Sequence, residues 1–273
     1  MTAIAPARVS APSPISPTRR QPTRRPLRDI AAMTAREFRR TIRSVDMLVT
    51  SLVIPVSIML VFVVVFGGAI EKDGHYINYV VPATLILCTG FGSAITAVSV
   101  AKDMKEGIID RFRTMPIFGA SVLVGHVVAS IARNLVSSAL VIGVAFLLSF
   151  RPSADLGGWV LAILYLVLAI TAFTWISCAA GLLLSEEAAG SINFVFLFLP
   201  YVSSGFVGAD TMPTWLQGFA QNQPFTPIIE TLRDLVSGQD ASGYVWAALA
   251  WLVGLLAVGY AASVVLFRRR VAH

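Results

Sequence analysis

Charge-free apolar stretches dominate this chain, and polar residues fall mainly between them. Residues 47–70, between Asp46 and Glu71, hold no charge, nor do residues 77–101. A third run, 117–150, is interrupted only by His126 and Arg133, and further runs cover 159–184, 188–207 and 243–267. Each is about twenty residues or longer, which at the rise of an α-helix crosses the apolar thickness of a bilayer; a β-strand of that length would overshoot it. Six spans follow, at about 47–70, 77–101, 121–150, 159–184, 188–207 and 243–267. Pro55 should bend its helix without ending it, since neighbouring helices can satisfy the freed carbonyl.

Two regions depart from that pattern. Leu27, Ile30, Ala31, Thr34, Phe38, Ile42 and Val45 recur at helical spacing, while Arg28, Arg36, Arg39, Arg40 and Arg43 cover much of the remaining surface. This periodicity predicts an amphipathic helix lying on an anionic membrane face. Before the last span, residues 208–242 hold two short helical patterns. One begins at Met212-Pro213-Thr214-Trp215-Leu216, with proline at its start. The other covers Phe225–Val236, with Ile228, Ile229, Leu232 and Leu235 on one face. Neither can span, so both are expected to re-enter or lie on the outer face. Residues 1–26 are rich in Pro, Ser, Thr and Arg without an apolar core and read as a disordered basic arm. The transmembrane domain occupies 27–273.

Composition supports the same solvent. The chain is 56% hydrophobic and 13% charged, about half the charge that a water-exposed surface carries, with a mean hydropathy of +0.76. Its excess of apolar surface requires lipid, and unbroken runs exclude a barrel. The fold class is therefore all-α and integral to a membrane. The net charge of +6 does not imply nucleic acid, because its distribution is that of topology signals. Ten arginines precede Asp46; Lys102, Lys105, Arg111 and Arg113 lie between spans two and three; Arg268, Arg269 and Arg270 close the chain. Lys72, Arg151 and Arg233 fall on the opposite side. Both termini are thus expected in the cytoplasm, the chain being multi-pass.

Catalytic motifs are missing. The sequence has no GxxxxGK[ST] phosphate loop, no HExxH and no GxSxG with a partner histidine. His75, His126 and His273 are scattered, Cys88 and Cys178 lie far apart in apolar runs, and no metal site is expected. His126 is expected on a helix surface or in packing, with a proton-linked role as its alternative.

Three segments resemble one family. They are Glu106-Gly107 with Asp110-Arg111-Phe112-Arg113-Thr114-Met115-Pro116; Arg133-Asn134 with Phe150-Arg151-Pro152; and Ser204-Gly205-Phe206-Val207 with Met212-Pro213, Trp215-Leu216 and Asn222-Gln223-Pro224. Over Ala35 to Arg270 the chain resembles the permease subunit of type-2 ABC exporters, particularly the daunorubicin-resistance type. The resemblance implies a pair of permease subunits energised by separate ATP-binding subunits, which hold the ATP and Mg. This chain would carry no cofactor and no catalytic residue. It implies that the first cytoplasmic loop docks on the ATPase, that the outer helices before the last span help close the exit, and that the substrate is a hydrophobic drug, antibiotic or lipid-like compound. The Arg- and Pro-rich arm before Leu27 departs from the family pattern.

Against that background, Glu106, Asp110, Arg111, Phe112 and Arg113 are expected to couple the permease to the ATPase. Glu186 and Glu187 form either a second such contact or a solvated turn. Arg133 either snorkels from a span beginning near residue 131 or lines the inner mouth, paired with Glu186 or Glu187. Phe194, Phe198, Tyr201 and Phe206 either line the substrate route or pack and face lipid. Two rival functions are an ion-coupled carrier or channel, which would want paired intramembrane acids or an inverted repeat, and a non-transporting membrane scaffold.

Overall fold

The computed structural model describes residues 31, 34–37, 39, 45–70, 76–107, 120–240 and 243–272. Among them every regular element is helical. Helix α1 (Val45–Leu60) runs on through a π-helical stretch, Val61–Phe66, and a last turn, Gly67–Ile70. It is followed by α2 (Tyr76–Lys105), α3 (Ala120–Leu147) and α4 (Leu156–Leu183). Two short helices come next, α5 (Glu186–Gly190) and α6 (Ile192–Tyr201), then α7 (Thr214–Asn222), α8 (Phe225–Ser237) and the last long helix, α9 (Val245–Ala272). The described residues of 31–39 are helical too, in keeping with the amphipathic pattern. The expected basic arm 1–26 lies outside the described residues.

Five helices among the described residues are long and apolar enough to cross a membrane: Leu52–Ile70, Tyr76–Lys105, Val122–Leu147, Leu156–Leu183 and Val245–Arg270. The apolar run at 188–207 is not among them. It breaks at Ser191 into pieces of five and ten residues. Beyond Pro200 the chain turns, the Ser203 hydroxyl donating to the Pro200 carbonyl and accepting from the Gly205 amide. A hydropathy window does not register such a break, because the residues on either side of it remain apolar.

Local chemistry accounts for the other boundaries. Helix α2 extends four residues past the expected end, to Lys105, with Lys102 and Lys105 in its last turn where they favour the helix dipole. Helix α4 starts earlier than expected because Asp155 caps it, its Oδ1 accepting the Gly158 amide at 2.7 Å. Helix α3 stops at Leu147, where Ser149 turns left-handed (φ 71°) and Phe150 N–H donates back to Ala145. Helix α8 ends on Gly238 at φ 65°, the left-handed position glycine tolerates.

Helix α2 is the axis of the fold, with α1, α3, α4, α5, α6 and α8 packed around it. It is buried almost throughout, whereas α1 and α9 expose most of their apolar surface. Yet α2 is the least apolar of the five long helices and α1 the most. That inversion is unlike a protein folded by water, and it suits lipid, where the outer helices meet hydrocarbon and the central one meets small and polar neighbours. Small residues permit the close approach: a Cβ on Gly181 of α4 would collide with the Ala97 carbonyl of α2, and one on Gly92 with the Asn134 amide. Substituting Gly181 by valine is therefore expected to force α2 and α4 apart, costing about 1–3 kcal/mol. A thermal melt of the detergent-solubilised protein checks this; an unchanged melting temperature would show that the contact is loose.

Helix α8 is the apolar plug against α2 and α4. Ile228, Ile229 and Leu232 are fully buried, Leu235 is half-buried, Phe225 stacks on Phe173 at 5.5 Å, and Tyr165 Oη donates to the Ile228 carbonyl at 3.1 Å. This is the face its periodicity predicted.

Candidate functional site

Polar side chains concentrate at three levels along α2. The middle level is built where α2, α3 and α4 meet. Ser93 and Ser130 both bond Thr174, at 3.1 and 3.0 Å, and Asn134 Nδ2 donates to the Ser130 carbonyl at 3.0 Å. Arg133 enters this cluster. Its Nη2 donates to the Gly92 carbonyl (2.7 Å), Thr96 Oγ1 (3.1 Å) and Ser130 Oγ (3.4 Å), and the residue is 8% exposed. The snorkelling and the glutamate pairing expected of Arg133 are both corrected. Helix α3 begins at Ala120, so Arg133 stands near its centre rather than at an interface, and it turns inward onto α2 instead of snorkelling. Nor does it pair with Glu186, whose carboxylate lies 3.3 Å from Lys105 Nζ.

At the Lys105 end of α2, ionic groups converge from five elements. Lys102 pairs with Glu106 at 3.9 Å, and Lys105 with Glu186 of α5. The α4–α5 turn, where Ser185 caps α5, borders a hollow of about 390 Å³ lined also by Met104, Glu187 and Arg270. Glu187 and Glu106 are exposed. Asp110, Arg111, Phe112 and Arg113 lie outside the described residues. Deeper, His126 of α3 sits between two buried acids: its Nδ1 is 3.5 Å from Glu37 Oε2 in the N-terminal helical segment, its Nε2 3.2 Å from Asp103 Oδ2 of α2. Arg36 approaches both acids, at 3.8 and 3.5 Å. His126, expected on a helix surface or in packing, is buried, and both its ring nitrogens lie against acids. Sequence reasoning missed Asp103 because it ended the span at Ala101 and left the residue to the first cytoplasmic loop.

At the Tyr76 end, Arg233 of α8 holds the turn after α6. Its Nη2 donates to the carbonyls of Ser204 (3.1 Å) and Gly205 (3.3 Å), its Nε donates to the Tyr79 carbonyl (3.2 Å), and its Nη1 pairs with Glu230 at 2.5 Å. The guanidinium also lies 3.6 Å over the Tyr79 ring. Tyr76 and Tyr79 donate to the carbonyls of Phe206 and Ser204, each at 2.6 Å. The aromatic candidates divide here. Phe206 is buried, stacked between Phe62 (4.5 Å) and Tyr201 (4.8 Å), while Phe194 and Phe198 lie one turn apart on an exposed face of α6. The four therefore do not form one lining. Arg233 is a further residue the sequence did not single out. The i, i+3 spacing of Glu230 and Arg233 on a short amphipathic helix was its only visible signal.

The profile of the ABC-2 type transporter family matches residues 28–236, from the N-terminal amphipathic region to the end of α8. The chain belongs to that family. This ABC-2 chain is 28% identical over 229 residues to the daunorubicin resistance ABC transporter permease protein DrrB1 of Streptomyces coeruleorubidus, covering 83% of this chain and 81% of that protein. It is 24% identical over 249 residues to the probable doxorubicin resistance ABC transporter permease protein DrrC of Mycobacterium tuberculosis, covering 88% of each. The expected recognition is thereby confirmed: an ABC-2 permease similar to drug-resistance permeases, with several apolar helices of membrane-spanning length.

Proposed function

We propose that this ABC-2 chain is the membrane half of an ATP-driven exporter, moving hydrophobic drug- or lipid-like compounds outward from the cytoplasm or inner leaflet. The observation that carries the reading is the Lys105 end of α2. The central helix there delivers its ionic last turn, the residues leading into the 106–116 loop and the α4–α5 turn to one place, where Lys105 binds Glu186. A separate ATPase pressing on that surface would push directly on the helix around which the other helices pack. The names of its relatives support the drug-export direction and the substrate class.

Six crossings with both termini cytoplasmic remain the topology we favour. Helices α5 and α6 are short, but together they accompany α2 along its length. Ala189 packs on Ala97 and Ala101 near one end, Phe196 faces Gly90 at the middle, and Phe206 meets Tyr76 at the other end. Segment 186–206 would thus act as the fifth crossing in two pieces, and α7 and α8 would re-enter from the outer side. The exposed aromatic face of α6, Phe194 and Phe198, is available to substrate, to lipid or to a second permease copy.

The test is reconstitution with an ATP-binding subunit in vesicles, followed by ATP-dependent movement of a fluorescent hydrophobic dye. Reversing the charges of Asp110 and Arg111 is expected to abolish transport and permease-stimulated hydrolysis at unchanged expression. Gel filtration of the variant beside wild type separates lost coupling from lost folding. Dye movement that persists without ATP, or that follows a proton gradient, would overturn the reading.

A further inference from the structure

We infer that the hollow beside the 202–207 turn is a binding site for a primary ammonium group carried on a small apolar body. Its walls come from five parts of the chain. Tyr79 belongs to α2, Ser204 to the turn, Asp210 to the single helical turn Ala209–Thr211, Thr226 and Glu230 to α8, and Tyr244 precedes α9. The space measures about 360 Å³, and Asp210 and Tyr244 at its border are exposed. That is room for an organic group of several heavy atoms rather than for a bare ion.

Two independent observations point to a ligand. The first is Ser204, which is only 4% exposed. Its backbone is fully engaged: the amide donates to Thr226 Oγ1 at 3.2 Å, and the carbonyl accepts from Tyr79 Oη and Arg233 Nη2. Its buried hydroxyl has no hydrogen-bond partner. A buried hydroxyl ordinarily finds one, as Thr226 does by donating to the Ala220 carbonyl. The second observation is charge. Glu230 pairs with Arg233, whose guanidinium also lies over the Tyr79 ring, whereas Asp210 makes no ion pair among the described residues. Gly208 leaves room for that carboxylate, since a Cβ there would meet Asp210 Oδ1 at 2.5 Å.

The wall thus keeps one unmatched negative charge beside two phenol rings and an unused hydroxyl. A single positive charge balances it, and aromatic rings favour a cation with an apolar body. An –NH₃⁺ group carries three donors, which suits a carboxylate and a hydroxyl that both accept; a quaternary ammonium would leave Ser204 unserved. A metal ion fits poorly, because it wants several converging oxygen ligands and only two acids border this space. Among the described residues, the one group of three His, Cys, Asp or Glu side chains close enough to share an ion lies at the other end of α2. Anions meet two carboxylates here and are repelled.

The experiment titrates the full chain in lipid nanodiscs with 2-phenylethylamine at neutral pH, read by saturation-transfer NMR against empty nanodiscs. The alcohol 2-phenylethanol and the anion 3-phenylpropionate serve as neutral and negative counterparts of similar shape. The expected result is saturable binding of the amine alone, weakened about tenfold by Asp210→Asn and about tenfold by Ser204→Ala. Asp210 is exposed and the Ser204 hydroxyl bonds nothing in the chain, so both variants should fold, which their gel-filtration profiles check. An amine signal no larger than that of empty nanodiscs overturns the inference, as does an alcohol that saturates equally well. Wild-type affinity in either variant also overturns it, and release of the amine by calcium at constant ionic strength assigns the hollow to a metal instead. Binding at equilibrium needs neither ATP nor a partner subunit, and a nanodisc leaves both membrane faces open. Failure here would therefore leave the exporter assignment untouched, and failure of export would leave this site untouched.

Discussion

Arg133→Ala is expected to be among the most damaging single substitutions in the chain, lowering stability by about 3–4 kcal/mol, because it removes a buried cation together with the side chain that fills its space. The Gly92 carbonyl, Thr96 and Ser130 all lose a charged donor at the heart of the bundle. Lipid offers no water in exchange, so the freed acceptors stay unsatisfied unless the hydroxyls re-pair with Thr174. Lysine should rescue poorly, since one shorter ammonium cannot reproduce the planar reach of the guanidinium to both helices. Methionine fills the space without needing partners, and apolar replacement of a buried charge is often tolerated by the fold. The series Ala, Lys, Met thus separates two roles. A methionine variant that melts near wild type but no longer exports would assign Arg133 to transport. Equal melting of alanine variant and wild type would mean that the cluster contributes nothing to stability. The measurement is a thermal melt of purified protein beside vesicle export.

How far the fold could be read in advance depended on what each signal measures. Hydropathy located α1, α2, α3, α4 and α9 to within a few residues, since a membrane helix announces itself by a long absence of charge. The period of Phe225–Val236 located α8 and its buried face. What hydropathy could not register was the break at Ser191, where an apolar run continues while its helix does not. Composition also could not say that the least apolar long helix would be the centre. That arrangement follows from packing among helices already in lipid, where small and polar residues gather inside. The site residues split along the same line. Glu186 was legible as a charge at a tight turn, and its partner Lys105 was in view. Asp103, Glu37 and His126 were separated by 23 residues or more in sequence, and only the folded chain brings them together. Phe206 and Phe194 looked alike as aromatics near one span, yet the turn after Pro200 buries the first and α6 exposes the second.

At the other end of α2, Arg233→Ala is expected to loosen the turn 202–207 without unfolding the bundle. Four groups depend on this guanidinium at once: the carbonyls of Tyr79, Ser204 and Gly205, and the Glu230 carboxylate. Charge-assisted bonds of this kind are worth about 1.5–3 kcal/mol each, though they do not add in full. A net loss of about 3 kcal/mol from this latch corresponds to a roughly hundredfold rise in local opening. Helix α8 itself should stay seated, because Ile228, Ile229 and Leu232 hold it apolarly against α2 and α4. Hydrogen exchange should therefore accelerate across 202–207 and leave the amides of α2 protected, while the melting temperature changes little. Arg233→Lys should behave nearly as alanine, since it cannot span α2 and the turn together. If the exit of an exporter is closed here, the same variant should leak a small dye through reconstituted vesicles without ATP. Unchanged exchange over 202–207 would show that Tyr76 and Tyr79 hold the turn by themselves and that Arg233 is no latch.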